Sequence, residues 1–81
     1  MIRQFVNQKI NHITPQELLQ LSQQYGFDLS RTQAEKISKL LRGKNIDIFN
    51  DRDRHQVLQN VSQNIDANLA TEINRMFNEF M

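Results

Sequence analysis

Ile13-Thr14-Pro15-Gln16-Glu17-Leu18-Leu19-Gln20-Leu21-Ser22-Gln23-Gln24-Tyr25-Gly26-Phe27-Asp28-Leu29-Ser30-Arg31-Thr32-Gln33 contains two helix starts with a helix stop between them. Thr14 is placed as an N-cap, Pro15 occupies the first helical position, and Glu17 follows the cap by three residues to close a capping box. Leu18, Leu19, Leu21, Ser22 and Tyr25 continue at helical spacing. Gly26 then stands where a left-handed C-terminal cap belongs. Phe27-Asp28-Leu29 reads as a short extended link, and Ser30-Arg31-Thr32-Gln33 repeats the cap in its Ser-x-x-Gln form. The helix it opens carries Ala34, Ile37, Leu40 and Leu41 inward and closes at Gly43.

Upstream, Ile2, Phe5, Val6, Ile10 and Ile13 recur by threes and fours, as on the inner face of an amphipathic helix ending near His12. Downstream, Lys44–Phe49 alternates polar and apolar residues with no second strand to pair with. It is therefore expected to be an ordered connector whose Ile46, Ile48 and Phe49 plug the core. Asn50 caps a fourth helix, with Asp51 and Asp53 favourably placed in its first turn and Val57, Leu58, Val61 and Ile65 along its stripe. Asp66 caps a fifth, whose Leu69, Ala70, Ile73, Met76, Phe77 and Phe80 share one arc. The expected fold is all-α: a compact bundle of five short helices containing a helix-extended-helix unit, with residues 1–81 as a single helical domain. Leu18, Leu21, Ile37, Leu41, Val61, Ile73 and Phe77 are the expected core.

The composition narrows the function. The 81 residues include no cysteine, which removes disulfides, thiolate zinc sites and cysteine nucleophiles. His12 and His55 are too few and too far apart for a metal site, and Asp47, Asp51 and Asp53 lack the glycine and the terminal Glu of a calcium loop. With only Gly26 and Gly43, no nucleophile elbow or phosphate-binding glycine loop is present. A chain this short spends most of its large apolar side chains on its core, leaving few for a small-molecule pocket. The expectation is a protein that is not an enzyme, with no catalytic residue, metal or cofactor and no small-molecule substrate. The N-terminal residues lack the apolar run of a signal peptide, and no segment approaches the ~18 apolar residues of a membrane span. A cytoplasmic protein without a membrane partner is expected. Ten Gln and nine Asn alternate with apolar residues and read as uncharged solvent faces.

Charge is unevenly distributed. The chain carries +1 overall, yet residues 31–44 sum to +4, from Arg31, Lys36, Lys39, Arg42 and Lys44 against Glu35. With Ile37 at 0°, Arg31, Arg42, Glu35, Lys39 and Lys36 fall at about 120°, 140°, 160°, 200° and 260°, away from the apolar arc. Glu35 is spaced to pair with both Arg31 and Lys39. Such a face suits a phosphate backbone, so Arg31, Lys36, Lys39, Arg42 and Lys44 are the nucleic-acid-binding candidates. The alternative is a protein–protein adaptor using the surface of the fifth or the first helix, or a homodimer, with Met76, Phe80 and Met81 on the fifth helix as interface candidates.

Residues 13–40 resemble the helix-extended-helix module of SAP and LEM domains. The likeness lies in Ile13-Thr14, Glu17-Leu18, Leu21, Gly26-Phe27, Leu29-Ser30, Ala34-Glu35, Ile37 and Leu40. It covers about a third of the chain and implies a helical pair that binds DNA or chromatin partners. In the SAP pattern a glycine and a lysine open the second helix; here Arg31-Thr32-Gln33 stand there, so Arg31 supplies the charge and Gln33 does not. The whole chain resembles a small uncharacterised family of Gram-positive bacterial proteins.

Overall fold

The structure, a computed structural model, describes residues 2–80, with the backbone alone at Ile2. Five helices follow in order: α1 (Ile2–Asn11), α2 (Pro15–Tyr25), α3 (Arg31–Leu41), α4 (Asp51–Asn64) and α5 (Ala67–Glu79). The local signals act as read. Glu17 N–H donates to Thr14 Oγ1 at 3.2 Å while Glu17 Oε1 accepts from Thr14 N–H at 3.1 Å, closing the first box. Ser30 and Gln33 make the same reciprocal pair at 3.1 and 3.0 Å. Gly26 is left-handed at φ 77° and ends α2. Asn50 accepts from Asp53 N–H, and Asp66 accepts from the N–H groups of Asn68 and Leu69.

Gly43 works differently from the expected cap. α3 ends at Leu41 with Arg42 already extended, and Gly43, at φ 71°, turns the chain so that its N–H donates to the Asn11 carbonyl at 3.0 Å. The left-handed residue thus directs the chain to α1 after α3 has stopped.

α2 packs on α3, α3 on α4, and α4 folds back on α5. Leu18, Ile37, Leu41, Val61, Ile73 and Phe77 are buried, as their spacing predicts, together with Ile10, Ile13, Ala34, Ile48, Val57, Leu69 and Met76. Leu21 is only half-buried, at the rim. Phe5 departs most from expectation, at 75% exposure. At 100° per residue it stands about 140° round α1 from Ile10, while Val6 stands within about 40° of Ile10 and takes the inward place. Among the described residues no helix is long and apolar enough to cross a membrane.

The connector is no strand, yet it is held as a strand edge would be. Asn11 Oδ1 accepts from Ile46 N–H and its Nδ2 donates to the Ile46 carbonyl, both at 2.8 Å. One turn earlier, Asn7 Oδ1 accepts from Ile48 N–H at 3.0 Å and its Nδ2 donates to Asp47 Oδ1 at 2.8 Å. The spacing makes this possible: residues i and i+4 of a helix are about 6 Å apart along its axis, close to the about 6.6 Å between residues i and i+2 of an extended chain. These two amides are therefore structural, not the solvent face the composition suggests. Ile48, held at its N–H by Asn7, is in the core at 0% exposure. Asn11→Ala removes both bonds to Ile46, and the expected loss is about 1–3 kcal/mol on chemical denaturation. A loss below about 0.3 kcal/mol would mean that the connector is held by Ile48 packing alone.

Candidate nucleic-acid interface

α3 is fixed from its inner side. Ala34, Ile37 and Leu41 are buried, and Ser38 Oγ, also buried, donates to the Ile13 carbonyl at 2.9 Å. That bond ties α3 to the α1–α2 junction and sets its rotation. The opposite face is consequently presented to solvent: Arg31, Glu35, Lys36 and Lys39 are exposed, as are Arg42 and Lys44 beyond the helix end. All five sequence-selected cations are exposed.

The electrostatics differ from the expected pairing in one respect. Arg31 Nε lies 3.8 Å from Glu35 Oε2, but Glu35 makes no pair with Lys39. One carboxylate has two possible partners a turn away on either side, and the N-terminal one holds it. Among the described residues, Lys36, Lys39, Arg42 and Lys44 are in no ion pair. Lys39 and Arg42 also sit at the C-terminal, negative end of the α3 dipole, which stabilises their charge locally. Lys44 stands at the lip of a cleft of about 280 Å³ lined by Leu40, Ile46, Asp53, Gln56, Val57 and Asn60.

Elsewhere several carboxylates are taken up by the fold. Lys9 pairs with Glu17, and that contact together with the Thr14 N–H holds the Glu17 carboxyl below its ordinary pKa. The Asn7 amide and the Phe49 N–H hold Asp47 low in the same way. Glu72 is gripped by Arg75, whose guanidinium also donates to the Tyr25 carbonyl at 2.9 Å, joining α5 to the end of α2. Among the described residues no group of three or more His, Cys, Asp or Glu is placed to hold a metal ion.

The interface candidates separate. Met76 is 2% exposed and belongs to the core, because it lies on the same inward arc as Ile73 and Phe77; it has no surface to offer a partner. Phe80 is half-buried, edge-on to Tyr25 with ring centroids 6.1 Å apart. Met81 lies outside the described residues. Phe5, expected on the apolar face of the first helix, faces solvent instead.

A family model described as "Protein of unknown function (DUF2624)" matches residues 1–81. The chain belongs to that family. It is also similar to "Uncharacterized protein YqfT" of Bacillus subtilis (strain 168), at 35% identity over 80 residues, covering 99% of this chain and 95% of that protein. Both matches fit the likeness to an uncharacterised Gram-positive family. No solved structure matches the chain.

Proposed function

We propose that this chain is a non-enzymatic, cytoplasmic binding module that holds nucleic acid by its phosphates along the outer face of α3 and Lys44. The observation that supports this best is that Lys36 and Lys39 on α3, and Arg42 and Lys44 just beyond its end, are exposed and in no ion pair among the described residues, while the Ser38–Ile13 bond fixes the orientation of α3. Unneutralised cations in a row release counterions from a phosphate backbone when they meet it, and that release is sequence-independent. Arg31, occupied by Glu35, flanks the row. The reading as a non-enzyme is supported by the employment of Glu17, Asp47, Asp53, Asp66 and Glu72 in caps, connector bonds and ion pairs.

A net charge of +1 opposes tight binding, so affinity belongs in the non-specific range of about 10⁻⁴–10⁻⁶ M at physiological salt. Fluorescence anisotropy with labelled duplex and single-stranded DNA and RNA at about 50 mM salt tests it. Saturable binding that ignores sequence is expected. Absence of binding to every one of these probes at that salt contradicts the proposal.

A further inference from the structure

The cleft that Lys44 lines, about 280 Å³ between α3, the connector and α4, has aliphatic walls: the half-buried Leu40 and Ile46 and the buried Val57. Its remaining members, Asp53, Gln56 and Asn60, all come from α4. Gln56 and Asn60 stand one turn apart on the same side of that helix. Among the described residues neither side-chain amide makes a hydrogen bond. Asp53 Oδ2 accepts from the Asp47 N–H at 3.1 Å, and the Asp53 charge offsets that of Lys44, so the cleft is neutral as a whole.

A neutral cleft holding a carboxylate is no place for a phosphate. It suits a neutral, flat group with apolar faces and a hydrogen-bonding edge, of a size for the lower end of the usual range of ligand pockets. A nucleobase is such a group. The strand that carries it brings phosphates to Lys44 and to Lys36, which stands one turn before Leu40 on the same stripe of α3. We infer, resting on the reading that α3 and Lys44 hold phosphates, that this cleft receives an unpaired base and that the preferred ligand is single-stranded nucleic acid. In a duplex the base faces are stacked and the edges paired, whereas an unpaired strand turns a base out freely. Gln56 and Asn60 each donate and accept, so they serve any base edge, and the selection is for strand state rather than sequence. Phosphate contacts alone select the opposite way. Four contacts at about −0.7 each for a single strand, against about −0.9 each for a duplex, give the duplex about a tenfold advantage at ~50 mM salt.

Fluorescence anisotropy at ~50 mM salt with three probes of equal length separates base from phosphate: a mixed-sequence single strand, an abasic single strand and a duplex. Wild type is expected to bind the base-bearing strand about tenfold tighter than the abasic one, the low end of what a base gains on a stacking platform, because the walls here are aliphatic. Gln56→Ala with Asn60→Ala is expected to remove most of that gain while duplex binding and helical circular dichroism stay unchanged, Ala being the stronger helix former at both places. Equal binding of the two single strands by wild type, or a gain undiminished by the double substitution, overturns the inference and leaves the α3 reading standing. Failure of all three probes to bind, the duplex included, overturns both.

Discussion

Substituting Lys39→Glu and Arg42→Glu together is expected to weaken nucleic-acid binding about two-hundred-fold at ~50 mM salt, for every sequence alike. Four phosphate contacts to duplex DNA give a slope of about −3.6 in log affinity against log salt, from about −0.9 per contact. Losing two contacts flattens it to about −1.8. Extrapolated from ~1 M, where the counterion contribution vanishes, to ~50 mM, that difference amounts to about two-hundred-fold, and the two new carboxylates add repulsion beyond it. The fold should be untouched, because both side chains are exposed and neither is in an ion pair among the described residues. Titrations of both proteins across salt concentrations, with circular dichroism alongside, check the slope and the fold together. Equal slopes would show that these two residues face solvent only.

Phe77→Ala is expected to have the largest effect on stability. Phe77 is 0% exposed and among the largest of the fully buried side chains. Truncation of a buried Phe costs about 3–5 kcal/mol, through lost burial and the cavity left behind. A chain of this length has about 4–12 kcal/mol of total stability at typical per-residue values. The substitution is thus expected to consume much of the margin on urea denaturation. Phe5→Ala provides the contrast: the same side chain removed from a 75% exposed site should change monomer stability by no more than about 0.5 kcal/mol. Similar losses at both positions would mean that α1 is docked with the wrong face inward.

The helix boundaries were legible because caps are local. Thr14 with Glu17 and Ser30 with Gln33 close within a single turn, and the same holds for Asn50 and Asp66. Periodicity also located most of the core. Its failures come where an apolar series is wider than the surface available to cover it: Phe5 belongs to the three-and-four pattern of α1, but Val6 and Ile10 occupy the inward positions. Leu21 is left half-buried for that reason. The long-range polar bonds were not legible. Asn7 and Asn11 resemble the other surface amides until the connector, some 35–41 residues away in sequence, is laid against them. Ser38 likewise gains its role only from Ile13, 25 residues earlier.

Of the candidate site, the exposure of Arg31, Lys36 and Lys39 followed from their angular positions about Ile37; Arg42 and Lys44, beyond the helix end, are exposed as well. The division of Glu35 between Arg31 and Lys39 did not follow, because both partners satisfy the spacing and only side-chain geometry selects between them. That selection matters, since it leaves Lys39 without a carboxylate partner.

Amide chemical-shift mapping of the intact chain during titration with a short DNA duplex at low salt locates the binding face residue by residue. The α3 proposal predicts the largest changes at Lys36, Lys39, Arg42 and Lys44, smaller ones at Arg31, and none on the outer face of α5 at Thr71 and Asn78. Changes centred on Phe5, Gln20 and Leu21, or no changes at all, would contradict it.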